Sequence, residues 1–314
     1  MVGRKVGIVG AGFVGATAAY SLTMTGACHE VVLYDINADI AKGKAIDIGQ
    51  STSYAPKGTI VTAAEDASGL KDCDIIVITA GVPRRSEMTR ADLLMINAKI
   101  MKDVVGNIMK YSPNAIILCV SNPLDIMSYV IHKMTGWNRN RIIGMAGALD
   151  GARMAYQINQ KVGYGSGQIR AMLIGDHGSN MIPLPEISAV GGVPLNQLVT
   201  KKDMEDIISR TKDGGAEIVK HLGTSAYYAP GRAISVMVEA ILDDSRIVMP
   251  SSVMLDGEYG YKDITVGVPV VLGANGIEKI IELELDEETK AKFKISVDSI
   301  KEGIEILEEN GFFE

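Results

Sequence analysis

The residue whose type and setting best suit proton transfer is His177. It lies in the glycine-bracketed segment 175-GDHG-178, directly after an apolar run that predicts a strand. A histidine on a turn at the carboxyl end of a strand is a candidate general acid or base, because its charge changes near neutral pH. A structural role is the alternative. Of the other histidines, His29 and His221 lie among polar residues and are predicted at the surface, and His132 is predicted in a structural role on an amphipathic helix.

Two charged residues in 149-LDGAR-153 could serve such a histidine. If the segment begins a helix, Asp150 and Arg153 are three positions apart and share one face. The aspartate could then orient an imidazole, and the arginine could bind a carboxylate with two nitrogens of its planar fork. The alternative is a local ion pair at a helix N-terminus, which contributes little to stability.

A basic cluster, 83-PRRSEMTR-90, follows another strand-like run. Its composition is that of an exposed, solvated loop. A loop at the carboxyl end of a sheet strand lies where α/β folds bind ligands, so a mobile lid is the rival interpretation.

The turn Gly10-Ala-Gly12-Phe-Val-Gly15 has the GxGxxG spacing, which by itself also occurs in strand-to-helix turns without a ligand. Here it follows a strand-like run and precedes a helical stretch. Asp35 ends the next strand-like run, 20 positions after Gly15. In dinucleotide-binding folds the glycines allow a close approach to pyrophosphate, and such a carboxylate binds the adenosine ribose. Because Asp35 would repel a 2′-phosphate and no arginine follows it, NAD is favoured over NADP.

These candidates need a sheet to hold them, and the first half of the chain provides its strands. Strands are predicted over 5–10, 30–35, 74–80 and 115–120, with helices from about residue 16 and over 38–49 and 91–111. Strand runs that are apolar throughout are buried on both faces, so they indicate a parallel sheet covered by helices on both sides.

The second half has a different pattern. It predicts a helix over 152–161, a strand over 169–175, helices over 200–221 and 231–242, and strands over 246–255, 264–272 and 277–285. Consecutive strands joined by short turns are typical of an antiparallel meander. The last helix places an apolar stripe on one face: Phe293, Val297, Ile300, Ile304 and Leu307. We therefore predict the α/β class, with a Rossmann doubly wound parallel sheet in residues 1–144 and an α+β substrate domain with antiparallel strands in residues 145–314.

Composition excludes several classes of protein. The 314 residues are 47% apolar and 22% charged, which is typical of a globular protein. No apolar run approaches the roughly 18 residues needed to span a bilayer, and the chain begins without a signal-peptide pattern. The segment from residue 281 onwards contains 11 acidic residues and 4 lysines, which accounts for the whole net charge of −7. The rest of the chain is balanced in charge, so no basic surface for nucleic acid is expected. The 3 cysteines form no CxxC pair, as expected for buried thiols in the cytoplasm.

Taken together, these residues resemble the lactate/malate dehydrogenase family. The segments GAGFVG, AGVPRRSEMTRADLL, VSNPLDIMSYV, LDGAR, GDHGSNMIPLP and SAYYAPGRA occur in the family's order from near residue 5 onwards, and the resemblance covers nearly the whole chain. Within the family, the chain most resembles the bacterial and archaeal malate dehydrogenases whose sequences are like those of lactate dehydrogenases. The resemblance implies reversible, NAD-dependent oxidation of (S)-malate to oxaloacetate in the tricarboxylic acid cycle.

The resemblance also implies a role for each site residue. His177 matches the proton-transferring histidine, Asp150 the carboxylate that orients it, and Arg153 the arginine that binds the C1 carboxylate. Arg90 matches the lid arginine that polarises the C2 oxygen, and Arg84, six positions earlier, matches the residue that selects between a carboxylate and a methyl group. The SNP segment supplies Asn122 to the substrate. The implied cofactor contacts are Gly10, Gly12, Phe13, Val14, Gly15, Asp35, Asn97, Val120 and Asn122.

Some positions depart from the family pattern. Ser179 stands where the family usually has aspartate, and Ser86 and Glu87 replace a common Pro-Gly pair in the lid. Ala155 and Arg170 stand where some lactate dehydrogenases have the arginine and histidine that bind an activating sugar bisphosphate, so no such activation is expected. Ala226 and Pro230 match the malate-type wall beside the nicotinamide.

Two alternatives to a malate dehydrogenase remain at this point: a lactate or broad 2-hydroxyacid dehydrogenase, and a non-catalytic NAD-sensing protein. No metal site is predicted, because no Cys/His cluster is present. The expected partners are a small dicarboxylate and further copies of the chain, in a homotetramer or a homodimer. Neither nucleic acid nor a membrane is an expected partner.

Overall fold

The computed structural model describes residues 4–55, 57–83 and 88–314. The strands in these ranges are β1 Lys5–Val9, β2 Glu30–Tyr34, β3 Ile60–Ala64, β4 Ile75–Ile78, β5 Ile116–Cys119, β6 Ile142–Gly144, β7 Ile169–Arg170, β8 Leu173–Ile174, β9 Ile182–Pro183, β10 Ala189–Val190, β11 Val193–Pro194, β12 Ile247–Asp256, β13 Lys262–Gly273 and β14 Gly276–Ile280. The helices are α1 Phe13–Thr25, α2 Ala38–Ser51, α3 Arg90–Tyr111, α4 Leu124–Thr135, α5 Ala146–Val162, α6 Lys201–Leu222, α7 Tyr228–Leu242 and α8 Glu287–Glu309.

The main sheet has nine strands in the order β14-β13-β12-β6-β5-β4-β1-β2-β3. Strands β1 to β6 pair in parallel in the doubly wound order 3-2-1-4-5-6, and every connection except that from β3 to β4 contains an α-helix. This confirms the predicted Rossmann sheet. The residues of β4, β5 and β6 are all buried and those of β1 and β2 mostly so, as a sheet covered on both faces requires, whereas the edge strand β3 is only partly buried.

The predicted meander is also confirmed, since β12, β13 and β14 pair antiparallel in sequence order. Its place in the fold was not predicted. Ser252 of β12 pairs with Gly144 at the end of β6, so the meander continues the parallel sheet. Gly144 fits only as glycine, because a Cβ there would lie 2.6–2.9 Å from atoms of Leu124, Ser252 and Ser128. A single sheet therefore runs through both halves of the chain.

Several predicted bounds are wrong. The strand predicted over 169–175 is two short strands in different sheets: β7 pairs with β10, and β8 pairs with β9. The change of sheet occurs at Met172, whose N–H donates to Ser188 Oγ at 3.2 Å instead of to a neighbouring strand. The strand predicted over 277–285 ends at Ile280, and the helix predicted from 152 begins at Ala146. Strand β3 was not predicted, because its five residues, IVTAA, are only partly buried at the edge of the sheet.

Helix α8 carries the predicted apolar stripe, and all five of its residues are buried. The acidic side chains of α8 lie off this stripe, and all except the half-buried Asp298 are exposed, so solvent screens them. Within the described residues, no helix combines the length and apolar character that a membrane span needs.

Candidate active site

The candidate site lies at the carboxyl ends of the parallel strands. The glycine turn follows β1, Asp35 follows β2, residues 80–83 follow β4 and residues 120–122 follow β5. The strand order changes direction between β1 and β4, and α/β folds bind ligands in the crevice at such a point.

The glycine turn has the backbone geometry that its sequence predicts. Gly10 has φ +104°, and a Cβ there would lie 2.6 Å from Thr79 Oγ1. A Cβ on Gly15 would lie 1.9 Å from the Gly10 carbonyl oxygen, so α1 can approach β1 this closely only with glycine. A Cβ on Gly12 would meet nothing within 4 Å, and Gly12 caps α1 with no side-chain bond. The open N-terminus of α1 therefore fits a pyrophosphate group.

Asp35 is joined to this turn by hydrogen bonds. Its Oδ2 accepts from Ala11 N at 2.7 Å, and its Oδ1 accepts from Asn37 N at 2.9 Å. An ionised carboxylate has about four acceptor positions, so it retains capacity for ribose hydroxyls. The same carboxylate thus fixes the turn and presents a negative charge beside it.

An aromatic contact joins the glycine turn to the SAYYAP segment. The exposed ring of Phe13 stacks on Tyr227, with centroids 5.1 Å apart and planes 26° apart. Half-buried Ala226 precedes Tyr227, and buried Pro230 lies in the first turn of α7. Val14, next to Phe13, is half-buried. The SAYYAP segment therefore forms a wall next to the glycine turn.

Asn97 ties the loops after β4 and β5 together. It is buried on α3, where its Oδ1 accepts from Val82 N at 2.9 Å and its Nδ2 donates to Asn122 O at 2.7 Å. The side chain of Asn122 is exposed at the crevice, and Val120 is half-buried. The observed contacts of Asn97 are thus with these two loops.

His177, Asp150 and Arg153 form one cluster. Asp150 and Arg153 are one helical turn apart on α5, and His177 joins them from a loop 27 residues after Asp150. Asp150 Oδ2 lies 2.8 Å from His177 Nδ1, and its Oδ1 accepts from Arg153 Nη1 at 3.0 Å. The Asp150 side chain is only 3% exposed, against 13% for His177 and 18% for Arg153. The sequence placed Asp150 and Arg153 on one helix face, which α5 confirms, but the helix begins one turn earlier.

The electrostatics of this cluster favour a protonatable histidine. Burial of the imidazole lowers the pKa of His177, but the adjacent Asp150 carboxylate, with a smaller contribution from Asp125, outweighs burial and leaves the pKa above its usual value. Nδ1 faces Asp150, so Nε2 is the ring atom that can exchange a proton with a ligand.

Asp125 is a site residue that the sequence analysis missed. Its Oδ2 accepts from His177 N at 2.8 Å, while its Oδ1 is buried without a hydrogen-bond partner among the described residues. Burial raises the pKa of the Asp125 carboxyl to about 6. Its signal was present in the sequence, since an acid inside the apolar helical run LDIMSYVIH needs a buried partner.

Ser296 is the second missed residue. It projects from α8, is fully buried, accepts from Asp176 N at 2.8 Å and donates to Asn180 O at 2.8 Å. These bonds close the loop that carries His177 and Ser179, so the loop is held from α8. A serine on the apolar stripe of α8 was the available signal.

Not every predicted residue joins the cluster. Arg90 is exposed and is the first residue of α3, whose N-terminus is capped by a capping box between Thr89 and Asp92. Within the described residues, it forms no hydrogen bond or ion pair with the His177–Asp150–Arg153 cluster. Arg84, together with Ser86 and Glu87, lies outside the described residues.

Ala155 and Arg170 line one cavity of about 610 Å³, together with Arg232 and apolar residues of α5, α7 and β12. A methyl group at Ala155 offers no charge to a phosphate. Among the described residues, no group of three or more histidine, cysteine or acidic side chains could hold a metal ion.

Comparison with known proteins gives consistent matches over both halves of the chain. Residues 4–144 match the family model described as lactate/malate dehydrogenase, NAD binding domain, and residues 147–310 match its alpha/beta C-terminal domain. A malate dehydrogenase from Sulfurimonas denitrificans is 55% identical over 99% of this chain and 98% of its own length.

Solved structures give the same result. A malate dehydrogenase from Salinibacter ruber is 40% identical, with a TM-score of 0.93 over 98% of this chain and 100% of its own. A lactate dehydrogenase from Cryptosporidium parvum, complexed with lactic acid and nicotinamide adenine dinucleotide, is 34% identical, with a TM-score of 0.93 over 98% of this chain and 99% of its own.

Proposed function

The chain belongs to the lactate/malate dehydrogenase family, and from this premise we propose that it catalyses the reversible, NAD-dependent oxidation of (S)-malate to oxaloacetate. The observation that carries the proposal is the buried His177–Asp150–Arg153 cluster, because it combines a proton acceptor with a carboxylate-binding cation. The catalytic histidine, its orienting aspartate and the substrate-binding arginines are assigned as parts of this proposal.

His177 is the general acid and base. In malate oxidation, neutral His177 takes the C2 hydroxyl proton at Nε2, while its Nδ1–H donates to Asp150. The Asp150 carboxylate stabilises the resulting imidazolium. In oxaloacetate reduction, the protonated imidazole returns that proton to the C2 oxygen, and Arg90 stabilises the negative charge that develops there.

Arg153 binds the C1 carboxylate. Its Nη1 is engaged by Asp150, while its Nε is buried without a hydrogen-bond partner among the described residues. A buried guanidinium edge without a partner is costly unless a ligand binds it. A carboxylate that accepts from Nε and Nη2 would satisfy that edge in bidentate geometry.

The C4 carboxylate is the group that distinguishes malate from lactate. We assign its recognition to Arg84, on the resemblance to malate dehydrogenases. A second carboxylate in a water-poor site needs a cation, whereas the methyl group of lactate does not. Asn122, exposed at the crevice, supplies a further hydrogen bond to substrate.

NAD, when bound, supplies the hydride acceptor. The open N-terminus of α1 would hold its pyrophosphate and Asp35 its adenosine ribose, as their geometry fits. Phe13, Val14, Asn97, Val120 and Asn122 are assigned as further cofactor contacts by resemblance. The negative charge of Asp35 makes NADH the preferred reduced cofactor over NADPH.

A lactate dehydrogenase is the second candidate, favoured by the likeness to the lactic acid complex. The deciding experiment measures initial rates of NADH loss with oxaloacetate and with pyruvate, by absorbance at the reduced-nicotinamide band. The proposal expects oxaloacetate to be preferred in kcat/KM. Preference for pyruvate would establish the lactate alternative, and turnover of neither would favour a non-catalytic NAD-sensing protein.

The wider setting of the enzyme is also part of the proposal. We place a domain boundary at residue 144, supported by the two family-model matches. We further propose a cytoplasmic homotetramer or homodimer acting in the tricarboxylic acid cycle, supported by resemblance to the bacterial malate dehydrogenases. Light scattering of the purified protein would distinguish the two assemblies.

A further inference from the structure

Helix α6 contains a feature that helix formation alone does not explain. Gly214 and Gly215 are adjacent in the middle of this 22-residue helix, where each glycine destabilises the helix relative to alanine. Both have ordinary helical backbone conformations, so neither is required by a positive φ. Their reason must lie in what α6 packs against.

The structure shows that neighbour to be Arg153. A Cβ on Gly215 would lie 3.3 Å from Arg153 Nη2, which is tighter than ordinary contact, and 3.7 Å and 3.8 Å from its Cζ and Nη1, which is ordinary contact. A Cβ on Gly214 would lie 3.7 Å from Arg153 Cδ, which is ordinary van der Waals contact. Gly215 therefore borders the charged end of the arginine, and Gly214 borders its aliphatic stem.

The guanidinium has little freedom to move away from such a contact. Asp150 Oδ1 accepts from Nη1 at 3.0 Å, and Asp150 is itself held by His177. On the Nε–Nη2 edge, Nε has no hydrogen-bond partner among the described residues. A Cβ at position 215 would press on Nη2 from the Nη1–Nη2 end of the guanidinium, so it would displace one of the two nitrogens assigned to the substrate carboxylate.

We infer that Gly215 is a positioning residue for substrate binding. Because it has no side chain, α6 can pack against Arg153 without displacing the guanidinium from the position in which it binds the substrate carboxylate. Gly214 has no such role. The inference rests on the proposed function, because it takes Arg153 as the group that binds the C1 carboxylate.

The test compares Gly215→Ala with the matched control Gly214→Ala. Both changes replace a mid-helix glycine with alanine. Gly214→Ala meets only ordinary contacts and should raise Tm by about 2 °C, whereas Gly215→Ala should raise Tm less, because the Arg153 guanidinium must move. A displacement of a few tenths of an ångström at the guanidinium should raise KM for oxaloacetate about 3- to 10-fold in Gly215→Ala alone. Because the lost contact binds substrate and transition state alike, kcat should change little. The dissociation constant for NADH, from its fluorescence, should be that of the unmodified protein in both variants.

A raised KM with an unchanged kcat and an unchanged dissociation constant for NADH cannot be attributed to partial unfolding. Equal KM values in the two variants, whether raised or not, would overturn the role of Gly215 while leaving the proposed function intact if the unmodified protein reduces oxaloacetate. Absence of oxaloacetate reduction by the unmodified protein would refute the proposed function, and the inference with it.

Discussion

Replacing Asp150 with asparagine tests the proton-transfer pair directly. The carboxylate lies 2.8 Å from His177 Nδ1 and is 3% exposed, so the pair is screened little by solvent. A charge-assisted hydrogen bond in such a setting contributes about 1.5–3 kcal/mol. Because that bond stabilises the imidazolium, Asp150→Asn should lower kcat/KM for oxaloacetate reduction by about 10- to 100-fold near neutral pH.

The pH dependence gives a second, independent expectation with a definite sign. Asp150 raises the pKa of His177, whereas burial and Arg153 lower it. Removing the negative charge leaves the lowering effects in excess, so the pKa of His177 should fall. Oxaloacetate reduction needs the protonated histidine, and its pH profile should therefore move to lower pH in the variant. Malate oxidation needs the neutral histidine, and its acid limb should move in the same direction.

The measurement is kcat/KM against pH in both directions for Asp150→Asn and for the control Asp206→Asn. Asp206 is a partly exposed acid on α6 that pairs with Lys161, so its replacement changes the net charge equally without touching the imidazole. Profiles of Asp150→Asn that coincide with those of the unmodified protein would refute the assignment of Asp150 as the partner of the catalytic histidine.

Three further perturbations test other parts of the molecule. Arg84→Gln should lower kcat/KM for oxaloacetate at least about tenfold and raise activity on pyruvate, whereas Arg85→Gln should do far less; the reverse pattern would shift the selector by one residue. Ser296→Ala leaves two partly buried backbone groups unpaired, so it should lower the free energy of unfolding, measured in urea, by about 1–3 kcal/mol. Ser251→Ala removes a buried hydroxyl that has no partner among the described residues, so it should change that free energy little. Burial lowers the pKa of His132 from 6.5 to about 4. The unfolded chain therefore binds one more proton than the folded chain as pH falls from 6.5 to 4, and the free energy of unfolding drops by up to about 3 kcal/mol. His132→Gln should reduce the loss of Tm between pH 6.5 and 4, and an unchanged slope of Tm against pH would contradict a buried, neutral His132.

The sequence by itself determined the features that depend on near neighbours. The glycine spacing and the position of Asp35 predicted the glycine turn and the carboxylate beside it, because a turn, a helix start and the end of the next strand lie within about 25 residues. The spacing of Asp150 and Arg153 fixed their common face, because helix geometry places positions three apart side by side. Continuous apolar runs predicted the parallel strands, because burial on both faces leaves no room for polar alternation.

Other elements were decided only by the tertiary structure. Strand β3 has too little apolar character to be recognised, and it forms because β2 offers an unpaired edge. The run over 169–175 divides into two strands because its first part pairs with β10 and its later part pairs with β9, in separate sheets. The meander joins the parallel sheet through Gly144 and Ser252, which are over a hundred residues apart. Local pattern reports which faces are apolar, but it does not report which distant edge will pair with them.

The same limit applies to the site. Asp125, Ser296 and Gly215 each act on a site residue or its loop across a separation of 52 or more residues. Each is a helix residue whose partner cannot be identified from its neighbours in the sequence. Their effect arises from where α4, α6 and α8 pack, and that depends on the summed burial of the core rather than on any one segment. The sequence therefore supplied the chemical groups of the site, and the packing of three helices supplied the contacts that hold His177 and Arg153 in place.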